Sequence, residues 1–200
     1  MTDNIIDVSH WNEPVDVRKV AAAGIVAVIA KATQGTAYAD PAYASFRRKV
    51  AAQGLLWGSY HFGTGDDVAA QVGHYLDVAS PGDDDLACLD FEPDPHGASM
   101  TLSQARDFAG IFRQRTGRYP VLYGGYWLKQ QLGTHADALL AQCPLWLAQY
   151  GPAAVLPPGW TAYTLWQFTD RAQGIPGVRK VDRDRFTGSD AVLRRRWPFG

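Results

Sequence analysis

The chain has little cysteine, little net charge and no long apolar run, and each shortage excludes something. Two cysteines, Cys88 and Cys143, are too few for a disulfide scaffold or a cysteine zinc site, and both border apolar segments. They are expected as buried free thiols. A formal net charge of -1 gives no pull toward nucleic acid. No apolar stretch approaches the roughly 20 residues needed to span a bilayer, so membrane insertion is not expected. Met1-Thr2-Asp3-Asn4 has neither the basic nor the apolar region of a signal peptide. The expectation is synthesis in the cytoplasm, with any action in the periplasm or outside the cell following release through a pore or a dedicated secretion system. Internal repeats and low-complexity tracts are absent too, and a single domain over 1–200 is expected. What the chain does have is aromatic residues: seven Trp, nine Tyr and eight Phe. Flat apolar faces with polar tips suit a core, and they also suit a groove that binds sugar rings.

Short apolar runs alternate with helical patterns. Ile5–Ser9, Ile25–Ala30, Leu55–Phe62, Leu86–Phe91 and Val121–Tyr123 read as strands. Helices are expected over Val15–Ala23, from Pro41 to Gln53, over Asp66–Val78 with Asp66 as cap, and from Thr101 or Ser103 to Thr116 before Gly117. Beyond 126–142, an irregular or short helical piece, come strands at Leu145–Gln149, Tyr163–Phe168 and Val178–Asp182 with loops between them. The pattern predicts an α/β fold: an irregular β/α barrel of about five βα units followed by three strands with little helix. Chemistry in such barrels collects at the C-terminal strand ends. Polar residues recur there: Asp7, Lys31, Tyr60, His61, Asp90, Glu92, Tyr123, Gln149, Tyr150, Gln167 and Asp182.

The most telling stretch is Leu86-Ala87-Cys88-Leu89-Asp90-Phe91-Glu92. Residues i and i+2 of a strand share a face, about 7 Å apart along the backbone, so Asp90 and Glu92 project together. Two partly desolvated carboxylates raise each other's proton affinity. An acid that keeps its proton beside a carboxylate that loses it is the equipment of glycosidic cleavage. His61 is expected as a structural hydrogen-bonding residue, and Arg194-Arg195-Arg196 as a solvated basic face. Trp11 and Trp166 are further groove candidates.

These residues carry a resemblance. Asp7-Val8-Ser9, Lys31-Ala32-Thr33-Gln34-Gly35-Thr36, Gly58-Ser59-Tyr60-His61-Phe62, Asp90-Phe91-Glu92, Leu145–Tyr150, Leu165–Thr169 and Val181–Phe186 occur in the order found in glycoside hydrolase family 25 lysozymes, the Chalaropsis-type N-acetylmuramidases. The chain resembles that family over about residues 5–188. The resemblance implies hydrolysis of the β-1,4 bond from N-acetylmuramic acid to N-acetylglucosamine in peptidoglycan glycan strands. It implies Glu92 as proton donor with Asp90, Asp7 and Asp182 as supporting acids, and no metal or other cofactor. Tyr60, Tyr123, Tyr150, Trp146, Gln167 and Lys31 are the expected substrate contacts. Three positions depart from the family pattern: Gln34 where many members carry Glu, Tyr123-Gly124-Gly125 where many carry an Asn after the tyrosine, and Asp184 where Asn is common. A monomer is expected, acting as a phage endolysin or as an antibacterial effector, the latter with an immunity protein. Two other readings stay open on sequence: a metal-dependent barrel hydrolase using Asp7, His61, Asp90 and Glu92, and a catalytically silent wall-binding module.

Overall fold

Apolar runs rich in β-branched residues extend into strands, and capped amphipathic segments coil between them. A computed structural model describes residues 1–199. The strands are β1 (Thr2–Val8), β2 (Ala27–Gln34), β3 (Tyr38–Ala39), β4 (Leu56–Phe62), β5 (Leu86–Asp90), β6 (Val121–Gly124), β7 (Leu145–Ala148), β8 (Leu165–Ala172) and β9 (Val181–Phe186). The helices are α1 (Val17–Ala22), α2 (Tyr43–Ala51), α3 (Val68–Ala79), α4 (Leu102–Thr116), α5 (Tyr126–Leu132) and α6 (Asp190–Arg196). Strands β1, β2, β4, β5, β6, β7 and β8 pair parallel in that order. Strand β9 then closes the ring, antiparallel to both β8 and β1. Eight strands therefore make an α/β barrel, with β3 hung as a hairpin on the end of β2.

The interior is filled from the base upward by Ile5, Ala27, Ile29, Leu86, Cys88, Val121 and Leu165. At Gly58 a Cβ would stand 3.1 Å from both Ile29 and Leu86, so only glycine lets that strand approach its neighbours. Helix α6 belongs to the same inner cluster through Leu193, and Trp197 follows it there. The Trp197 indole donates to the Trp57 carbonyl at 3.0 Å, which ties this segment to β4. An outer layer of Val20, Phe46, Val72, Tyr75, Phe108 and Phe112 seals the helices onto the barrel. Both cysteines are free and buried, as expected. Among the described residues no helix is long and apolar enough to cross a membrane.

Several boundaries differ from the sequence reading, each for a local reason. Strand β2 runs on past Ala30 through Lys31 to Gln34, because β3 and β4 both pair with that extension. Asp67, not Asp66, caps α3: it accepts from the Ala70 amide at 2.8 Å, while Asp66 takes the Thr64 hydroxyl. Helix α2 starts at Tyr43 because Asp40 and Pro41 form the preceding turn, with Asp40 accepting from the Ala42 amide. The last strand is Val181–Phe186 instead of Val178–Asp182, since Val178 closes a turn onto Ile175. Helix α6 was not expected. Ser189 caps it, and Arg194, Arg195 and Arg196 form its exposed side while Leu193 faces inward.

Candidate active site

The C-terminal ends of the parallel strands converge on a cavity of about 80 Å³ lined by Asp7, Tyr60, Asp90, Glu92, Tyr123, Trp146, Gln167 and Asp182. Asp7 comes from the end of β1, Asp90 ends β5, and Glu92 follows two residues beyond it. Phe91 between them is fully buried, and its amide donates to the Tyr123 carbonyl, so the alternation persists past the strand's end. Asp182 opens β9 instead of closing it. The strand runs backwards relative to its neighbours, and the pairing of Asp182 with Asp7 still puts it at the mouth.

Gln167 organises one wall. Its Nε2 donates to Asp7 Oδ2 at 2.8 Å, and its Oε1 accepts from the hydroxyls of Tyr123 (2.9 Å) and Tyr150 (3.0 Å). Three bonds lock the amide in one orientation, with its donor aimed at the carboxylate. Glu92 is shared between the cavity and an adjoining groove of about 480 Å³ that also takes in Tyr126, Lys129, Gln149 and Tyr150. Lys129 bonds the Gln149 side chain there, and Tyr126 is exposed. Sequence reasoning missed Tyr126 and Lys129; a short helix after a strand end was the available signal.

Burial dominates the electrostatics. Asp7 is pushed well above the usual carboxylate range by desolvation, with Asp184 and Asp182 adding repulsion. Asp90 is pushed well up by burial and by the Glu92 charge, against the Lys31 ammonium. One of its oxygens, Oδ1, is buried with no hydrogen-bond partner. Glu92 is raised by desolvation and by Asp182. Asp182 itself sits at about 6, through desolvation and Asp170. So much unpaired acid in one small space is destabilising, which is the usual state of affairs at a functional site.

Not every expected contact faces the cavity. Lys31 does not line it. Its Nζ bonds Gln34 Oε1 at 2.7 Å and lies 4.9 Å from the Phe62 ring centre, and it reaches the acids only through its charge. Trp146 forms the cavity's floor. It is 1% exposed, so it offers a sugar ring little surface, and its indole donates to Asp184 Oδ1 at 2.6 Å. Trp166 is buried and donates to the Gln149 carbonyl. Trp11 is 83% exposed but lies outside the cavity, tilted against His10. Tyr150 lines the groove and touches the site through Gln167. Asp184, unassigned on sequence, lies directly behind the acids.

His61 takes no part. Its Nδ1 accepts from the Thr33 hydroxyl at 2.8 Å, its Nε2 donates to Gln71 Oε1 at 3.1 Å, and burial lowers it to about 4. The ring stacks on Phe108 on the helix side of the wall. A set of Asp7, His61, Asp90 and Glu92 around one metal ion is therefore not what the fold builds, and among the described residues no three or more His, Cys, Asp or Glu side chains are placed so that they could hold a metal ion.

The family model of glycosyl hydrolases family 25 matches residues 6–178. Lysozyme M1 of Streptomyces globisporus is 31% identical over 205 residues, covering 94% of this chain and 69% of that protein. The N,O-diacetylmuramidase of a Chalaropsis species is 30% identical over 183 residues, covering 82% of this chain and 86% of its own. Among solved structures, the bacterial lysozyme of Streptomyces coelicolor superposes with a TM-score of 0.86 at 30% identity, covering 94% of each chain. A family GH25 lysozyme of Aspergillus fumigatus gives 0.83 at 30% identity, covering 95% of this chain and 96% of its own.

Proposed function

The chain belongs to glycosyl hydrolases family 25, and from that premise and its acid-lined cavity we propose that it is an N-acetylmuramidase. It hydrolyses peptidoglycan, cutting the β-1,4 bond between N-acetylmuramic acid and N-acetylglucosamine. The observation that carries this reading is the convergence of Asp90 and Glu92, both raised, in one acid-lined cavity, with Glu92 also lining the adjoining groove.

Glu92 is the general acid. It is the acid common to both spaces, so a glycosidic oxygen lying in the groove can reach it. Burial and the Glu92 charge push Asp90 up, and burial pushes Glu92 up, so the pair resists losing both protons. When the substrate's 2-acetamido N–H enters beside Asp90, it donates to that carboxylate and lowers its proton affinity. The proton then stays with Glu92, where the leaving oxygen needs it. The acetamido oxygen, oriented by Asp90, attacks the anomeric carbon as the glycosidic bond breaks, and water later opens the resulting ring with Glu92 as base. Asp7 and Asp182 line the opposite wall and stabilise positive charge developing on the sugar. Tyr60 and Tyr123 supply hydroxyls beside it, kept neutral by burial.

Digestion of purified peptidoglycan, with the new reducing ends identified by mass spectrometry, tests the reading. Reducing-end N-acetylmuramic acid is expected, and reducing-end N-acetylglucosamine refutes it. NMR of the first-formed anomer tests the route: β product is expected, and α product excludes acetamido assistance. Release of no reducing ends despite saturable binding would mean a wall-binding module.

A further inference from the structure

Asp184 is an acid that this scheme leaves unused, and it is the most deeply enclosed of the set. It is 0% exposed. It lies on β9 opposite Ile5 of β1 and Gln167 of β8. One oxygen, Oδ1, accepts the Trp146 indole N–H at 2.6 Å. No donor reaches the other, Oδ2, which is buried. Asp182, two residues earlier on the same face of β9, pairs with Asp7, so Asp184 lies diagonally across the seam from Asp7, and each carboxyl group bears on the other's proton. Asp7 in turn already accepts from Gln167. Two bare carboxylates in that arrangement repel in a space water does not screen. A hydrogen bond between them exists only when one carries a proton, because an ionised carboxylate has none to donate.

We propose that Asp184 is a positioning residue that shares one proton with Asp7, so that the two enter the reaction as a monoanion and Asp7 is pinned between Asp184 and Gln167. The Trp146 bond fixes the far oxygen of Asp184, and the shared proton fixes the near one. This deepens the muramidase reading, since it rests on that reading for what Asp7 does once it is held. Other ionisable groups face the pair. Asp182 lies within reach of Asp7 and is bordered by Asp170 and Lys180. Asp90 stands across the cavity with Lys31 and Glu92 beside it. The Tyr60 and Tyr123 phenols stay neutral through burial and contribute no charge. Asp182 also bears on Asp184, so an Asp184 variant moves its titration too; the number of protonated carboxyls, and not the shape of one titration curve alone, separates the pair.

The variants are Asp184→Asn and Asp184→Leu. Asparagine's amide nitrogen donates to Asp7 in place of the shared proton, and its oxygen still accepts from Trp146. Leucine does neither. We expect D184N to keep most of its turnover at neutral pH but to lose the alkaline decline that follows deprotonation of the pair. D184L should fall in kcat on the order of a hundredfold with KM nearly unchanged, the scale of a misplacement of about 1 Å. Equal damage in both variants, or an unaltered alkaline limb in D184N, overturns the proposal. Infrared difference spectroscopy reads the proton directly and needs no substrate: D184N should show one protonated carboxyl fewer than wild type at pH 7. An equal count refutes the shared proton even if D184L fails to fold. If the wild type proves inactive on peptidoglycan, the muramidase reading falls, and the infrared count still decides this one.

Discussion

Replacing Asp182 with asparagine should make the protein more stable and less active, and the stability gain should depend on pH in a defined direction. In the folded protein Asp182 titrates at about 6 against an ordinary value of 3.8, because burial and Asp170 disfavour its charge. Below about pH 4 the group is protonated in both folded and unfolded chains and costs nothing. As pH rises from 4 toward 6 the unfolded chain releases the proton and the folded one resists, so stability falls across that window. Above it, the full penalty of the buried charge remains. A gap of about two pH units corresponds to ~3 kcal/mol, which partial solvent access at the cavity mouth reduces to ~1–2 kcal/mol. The asparagine amide can still donate to Asp7, so that contact survives. For a chain of this size the gain is a rise in melting temperature of about 2–8 °C at pH 8. Thermal unfolding followed by circular dichroism from pH 3.5 to 8 measures it. The two proteins should converge below pH 4 and diverge above 6. A constant offset at every pH would mean that packing is responsible, and no offset at pH 8 would mean that solvent screens Asp182 fully; either result refutes the argument.

Glu92→Gln should lower turnover about 10²–10⁴-fold, the usual worth of a general acid, with an unchanged or slightly higher melting temperature. Near-normal turnover removes Glu92 from that role. Trp197→Ala should cost about 3–5 kcal/mol, because the indole fills the barrel's base and its N–H bonds the Trp57 carbonyl. A drop of roughly 10 °C in melting temperature is expected, and one below about 3 °C would show that the base is held by something else.

Much of the barrel was legible because its strands are buried on both faces. Ile25–Ala30 and Leu86–Leu89 can hardly be anything but interior strands, and the two-residue spacing of Asp90 and Glu92 survives into the structure unaltered. What local pattern could not supply was direction. Asp182 and Asp184 alternate with Arg183 and Arg185 in a charged stretch that reads as a surface strand. It is buried because β9 runs against its neighbours and brings it behind Asp7 and beneath Trp146. Helix α6 was hidden in the same way: three arginines advertise a wet surface, while Leu193 and Trp197 plug the barrel. Lys31 shows the converse limit. A strand-end position marked it as a ligand contact, yet the β2–β3 hairpin offered Gln34 and an aromatic face closer by.

The seam where β9 meets β1 joins the two ends of the chain's fold, and Asp7, Asp182 and Asp184 all sit on it. During synthesis the parallel strands can pair as they emerge, but this antiparallel ladder waits until β9 has left the ribosome. Asp7 and Asp182 are thus the last of the cavity's acids to be brought together, and a nascent chain that lacks β9 carries most of the scaffold, Asp90 and Glu92 included, with the acid-lined cavity unfinished.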